Sequence, residues 1–164
     1  MVMKALAGTV NLLPSAIRKR LFVALGLSQR AMTLGVRILV QNEEGHILLV
    51  RHTYVSGWFL PGGGVERPET VQEAAVKELL EECGIEALDP LQLFHFYKNP
   101  RTSRFDHVAL FTCSRWREVV AKQPDHEIAE LGFFAPDELP QETTVPTRNR
   151  IAEVLNGQHR SDVW

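Results

Sequence analysis

Apolar and polar positions along the chain switch between two periods, and the switch predicts its elements. Leu34 to Val40 is rich in β-formers, Asn42-Glu43-Glu44-Gly45 is turn material, and His46 to Arg51 is β-rich again. A hairpin is expected here, its second strand delivering Arg51 and His52 close to a glycine-rich turn. Leu91 to Tyr97 alternates as a strand, Asp106 to Thr112 reads as another, and residues 127–134 as a further one before the turn Pro136 to Pro140. After Gly62-Gly63-Gly64 the period becomes helical. Thr70 can cap the first turn, Glu73 can reach back to the cap's own N–H, and Gly84 suits the positive φ that ends a helix. A helix from about Thr70 to about Cys83 follows, and a second from Pro146 to Asn156 with Ile151, Val154 and Leu155 inward. Residues 1–30 suggest an N-terminal helical extension ahead of a domain over residues 31–164. Its helix would carry Ile17, Leu21, Ala24 and Leu25 on one face and Arg18, Lys19 and Arg20 around it, packed on the domain or at a dimer interface, with a basic amphipathic helix on a membrane surface as the alternative.

At 100° per residue the first long helix divides into two faces. Val76, Leu79, Leu80 and Cys83 form an apolar stripe; Glu78, Glu81 and Glu82 fall nearly opposite, beside Ala74. Three carboxylates at i, i+3 and i+4 with no basic residue among them repel one another. A solvated acidic face is the plainer reading of such a cluster alone. Here a glycine-rich turn precedes it, where backbone can approach a ligand closely. Hard divalent cations take several oxygen ligands, share them with substrate phosphates, and would relieve the repulsion.

Composition narrows the picture. With 164 residues, 45% apolar and 23% charged, the chain suits one ordinary globular domain. A net charge of −2 argues against non-specific nucleic-acid binding, so no DNA partner is expected. Cys83 and Cys113 match no metal or redox spacing and read as reduced thiols of a cytoplasmic protein. The apolar run near Met1 is interrupted by Asn11, stopped by Pro14, and too short to cross a bilayer.

The stretch GGGVERPETVQEAAVKELLEECGI resembles the Nudix box. Gly63, Glu69, Glu78, Glu81, Glu82, Gly84 and the apolar Leu79 and Ile85 stand at the family's fixed spacing, and Lys77 stands where the family has Arg. The resemblance implies an α/β/α sandwich with a mixed β-sheet. It implies a hydrolase that cleaves the pyrophosphate of a nucleoside diphosphate linked to another moiety, with ADP-ribose or a nucleotide sugar as candidates. Pro100, 15 residues beyond Ile85, is similar to a proline of ADP-ribose pyrophosphatases. By the same resemblance, the Gly62 carbonyl, Glu78, Glu81 and Glu82 would bind Mg²⁺ or Mn²⁺. Glu78 and Glu81 would serve catalysis, with Glu127 as the glutamate outside the box. Arg51 and the basic loop residues Lys98, Arg101 and Arg104 are candidate grips for substrate anions. In the family the box Arg orients the neighbouring glutamate; Lys lacks its two-pronged donor, so Glu78 is expected to be held less firmly here. Two other classes stay open: a nucleotide-binding module with weak turnover, and an RNA 5′-pyrophosphatase. A homodimer is compatible with the sequence.

Overall fold

The computed structural model describes Ile17, residues 32–157 and residues 161–164, so the helix expected within residues 1–30 lies, apart from Ile17, outside the described residues. Contacts divide the chain into Met1–Met32 and Thr33–Trp164, and the elements below belong to the second unit. Strand β1 (Thr33–Val40) lies parallel to β5 (Asp106–Cys113) along its whole length, and β4 (Gln92–Lys98) adds antiparallel to the far edge of β5. The glycine-rich segment takes the other edge of β1. Val36 N–H donates to Gly63 O (2.9 Å), Ile38 N–H to Pro61 O (2.9 Å), and Val65 N–H to Leu34 O (2.8 Å). Strand β2 (Ile47–His52) pairs antiparallel with β7 (Ile128–Phe134), and short β3 (Ile85–Ala87) with β6 (Trp116–Glu118).

The expected hairpin is only half realised. Its turn forms, with Gly45 at φ 82° and a single bridge from Gln41 to Ile47, but β1 then goes to β5 and β2 to β7. Both strands carry apolar residues on both faces, so both belong inside the fold with layers above and below. Val36, Ile38 and Val40 of β1, with Leu48 and Val50 of β2, pack against Ala74, Ala75, Leu79 and Cys83 of helix α1 (Val71–Cys83). Leu39, Ile47 and Leu49 point the opposite way, as a period of two requires, and meet Ile151, Val154 and Leu155 of α2 (Val145–Asn156). The strands therefore lie between two helices, an α/β/α arrangement with a mixed sheet.

Helix α1 forms as its ends dictate. Thr70 Oγ1 accepts from Glu73 N–H (3.2 Å), and Glu73 Oε2 accepts from Thr70 N–H (2.8 Å). Gly84 closes the helix at φ 68°, where a Cβ would meet Val120 O at 2.0 Å. Its rotation differs from expectation. The buried stripe is Ala74, Ala75, Leu79, Glu82 and Cys83, whereas Val76 and Leu80 are 39% and 49% exposed. Two alanines let the helix approach the sheet closely, and that closeness carries Glu82 into the interior.

Candidate active site

Buried Glu82 has a specific partner. Gly62 sits at φ 138°, where a Cβ would lie 2.2 Å from Val36 O, so only glycine permits this path against β1. The path turns Gly62 N–H toward Glu82 Oε2 (2.8 Å). That bond and the nearby Arg37 favour the carboxylate, but desolvation is larger and pushes the Glu82 carboxyl up to about 7. One turn earlier, half-buried Glu78 lays its carboxylate against Gly63: a Cβ there would meet Glu78 Oε1 at 2.5 Å. Burial raises the Glu78 carboxyl as well.

Glu127 joins from the segment leading into β7. Asp125 Oδ1 accepts from the N–H groups of both Glu127 and Ile128 (2.8 Å each), while Thr53 N–H donates to Glu127 O (2.9 Å). Lys122 Nζ donates both to Asp125 Oδ2 and to Glu81 O in the last turn of α1 (2.6 Å each), a favourable place for a cation. The ion pair with Lys122, followed by these backbone donors, holds the Asp125 carboxyl far below the usual range. One ligand atom each from His52, Glu82 and Glu127 can be chosen so that all lie within 4.8 Å of one another. Glu81 is exposed on the flank of α1 and is not part of that group.

Two residues at the centre were not among those expected. Arg37, from β1, donates through Nη1 to Leu60 O (3.0 Å) and to Gly62 O, so the carbonyl expected to serve a metal already faces a guanidinium. His52, at the irregular end of β2, is 5% exposed, with its ring against Tyr54 (5.1 Å) and Phe59 (5.7 Å). Burial, then the Arg37 charge, keeps its imidazole below the ordinary range and so neutral. A charged residue inside an otherwise apolar strand was the available signal for Arg37; for His52 there was only its place at a strand end.

Lys77 does not reach Glu78. Its Nζ pairs with Glu69 Oε1 at 2.7 Å, and Glu69 Oε2 also accepts from Glu66 N–H (3.1 Å), so the box's basic residue ties down the loop that enters the helix.

Beside the carboxylates opens a cleft of about 490 Å³ that shares Arg37 and Gly63 with their surroundings; Phe59, Gly64, Asn99, Arg101, Thr102 and Trp164 form further parts of its wall. Of the four basic residues expected to grip anions, Arg101 alone lines this cleft. Arg51 is paired with Glu130 (2.7 Å), Arg104 lies over the Phe105 ring (4.5 Å), and Lys98 is exposed on the β4 edge with its backbone bonded to Asp162 and Trp164. Among the described residues no helix is long and apolar enough to cross a membrane, and Cys83 and Cys113 are free and buried.

Comparison with known proteins agrees with this geometry. The NUDIX domain profile matches residues 32–155. A Bacillus subtilis (strain 168) protein, named provisionally as an 8-oxo-dGTP diphosphatase, is 35% identical over 126 residues, covering 76% of this chain and 81% of its own. The crystal structure of a MutT NUDIX hydrolase from Burkholderia pseudomallei superposes with a TM-score of 0.64 at 26% identity, covering 74% of this chain and 97% of its own. That of an ADP-ribose pyrophosphatase from Streptococcus suis does so with a TM-score of 0.57 at 25% identity, covering 79% and 96%.

Proposed function

The chain belongs to the Nudix hydrolase family, an enzyme acting on pyrophosphate bonds, and from that premise we propose that it cleaves a nucleoside diphosphate linked to a further moiety with the help of a divalent cation. The observation that carries this reading is the junction of two features: the carboxylates at Gly62–Gly63 adjoin a cleft of about 490 Å³, a size suited to a small ligand. The donor set suits a hard divalent ion. Glu82 and Glu127, with Glu78 laid against Gly63, would hold Mg²⁺ or Mn²⁺, and the Gly62 carbonyl could join them only on leaving Arg37; like-charged carboxylates gathered in a half-buried site call for such a counter-ion. When bound, the ion neutralises phosphate charge and acidifies water.

The chain's own residues supply the rest. Arg101 in the cleft wall offers a guanidinium whose forked donors match phosphate oxygens, while Arg37 in the same wall holds the Leu60 and Gly62 carbonyls. Phe59 and Trp164 offer apolar wall to a nucleoside, and Asn99 and Thr102 offer polar edges. Glu127 is exposed while lying next to Glu82, and this supports a role in taking the proton of the attacking water and releasing it to solvent. Glu81, on the exposed flank, is assigned a supporting part. The buried, free thiols suit a cytoplasmic enzyme.

Phosphate release from a panel of ADP-ribose, nucleotide sugars and nucleoside triphosphates, including 8-oxo-dGTP, with Mg²⁺ and a coupled phosphatase, tests the reading. Turnover of at least one, abolished by chelator, is expected; no turnover of any with Mg²⁺ or Mn²⁺ would refute it.

A further inference from the structure

His52 is a buried side chain without an evident structural task. Neither ring nitrogen has a hydrogen-bond partner, and both are enclosed. Nδ1 lies 3.8 Å from Glu82 Oε1, too far for a hydrogen bond and close enough for two groups that share a ligand. Leaving buried polar atoms unpaired is unfavourable, so packing alone would favour an apolar residue here. The ring packs against Phe59 and Tyr54, with Nδ1 beside Glu82 and the ligand-atom group completed by Glu127.

We propose that His52 is a ligand of the divalent ion, making the centre a mixed nitrogen–oxygen site rather than an all-oxygen one. The inference rests on the metal-dependent reading above and deepens it. Imidazole nitrogen is a common metal ligand. Its chemical consequence is selectivity. Mg²⁺ favours oxygen donors, whereas an imidazole nitrogen adds affinity along the series from Mn²⁺ toward Co²⁺ and Ni²⁺. This chain should therefore prefer Mn²⁺ or Co²⁺ over Mg²⁺ by more than its carboxylates alone would dictate.

Pulsed electron paramagnetic resonance on the Mn²⁺-loaded full chain reads the ligand directly, through modulation from a directly bound ¹⁴N nucleus. Modulation is expected in the wild type and should vanish in His52→Gln. By calorimetry that variant should lose at least about tenfold in Mn²⁺ affinity, the scale on which even outer-shell partners act, while Mg²⁺ affinity changes much less. Mn²⁺ binding that Glu82→Gln weakens, but that shows no ¹⁴N modulation in the wild type, would overturn the role of His52 and leave the carboxylate site standing. No binding of either ion would overturn both. The wild-type spectrum decides the matter even if His52→Gln fails to fold, and His52→Asn offers a smaller replacement.

Discussion

Replacing Glu82 by Gln should stabilise the metal-free protein, and by an amount that depends on pH. Burial moves the Glu82 carboxyl from 4.5 to about 7 in the folded state. Between those values the folded chain holds a proton that the unfolded chain has released, so wild-type stability falls as pH rises through that window. Below about pH 4 the group contributes no penalty; above about pH 7 the penalty is complete, on the order of 3 kcal/mol at 1.36 kcal/mol per pH unit. Glutamine keeps an oxygen that can accept from Gly62 N–H, as Glu82 Oε2 does at 2.8 Å, and has no charge to bury. The two proteins should thus unfold alike near pH 4.5 and diverge by pH 8. For a chain of this size each kcal/mol is worth about 2–4 °C, so a gap of roughly 6–12 °C is expected at pH 8. Urea and thermal unfolding in EDTA at both pH values measure it. Mg²⁺ added to the wild type at pH 8 should narrow the gap by binding only the folded state. An offset that is equal at the two pH values, or a Gln variant less stable at pH 8, would refute the reasoning that desolvation dominates at Glu82.

Gly63→Ala places a methyl 2.5 Å from Glu78 Oε1 and must displace that carboxylate; kcat should fall on the order of 10²-fold, the scale for a shift of about 1 Å, with a thermal midpoint little changed in calorimetry. Lys77→Arg can keep the bond to Glu69, so steady-state kcat should stay within about twofold, whereas Lys77→Met frees the loop and should lower kcat by more, a loss again set by misplacement of the site. Arg101→Ala should raise KM for a diphosphate substrate, while Arg104→Ala, whose guanidinium lies over Phe105 and does not line the cleft, should leave it unchanged in initial-rate assays.

What could be read from the sequence was what is decided locally. The capping box at Thr70 and Glu73 and the closing glycine at 84 involve residues within one turn of each other, and the structure bears them out. The rotation of α1 was not legible, because helical periodicity and residue type put Glu82 with its acidic neighbours and Val76 and Leu80 with the apolar ones. What turns Glu82 inward is an N–H contributed from 20 residues away, by Gly62. Strand partners failed for the same reason: the β1–β2 turn is written in Asn42 to Gly45, but the partner of β1 lies at Asp106–Cys113. In the linear chain Arg37 is marked only as a charge in an apolar strand and His52 only by its strand end near the glycine-rich turn; their roles become legible when strand ends and the glycine path converge on the same few ångströms.

The pairing of β2 with β7 has a consequence for biogenesis. His52 lies opposite Ile128, next to Glu127, and more than half of the domain's sequence is threaded between them. On a ribosome adding about 5–20 residues per second, Glu82 and His52 are out of the exit tunnel seconds before Glu127 is made. During that interval α1 can coil, since its caps are already present, but β1 and β2 both lack their ladder partners and expose apolar edges. Such high contact order slows folding and lengthens the time in which nascent chains can associate wrongly. A nascent chain stalled before Glu127 would therefore hold the Nudix box and its helix without β7, so that His52, Glu82 and Glu127 come together only once β7 docks.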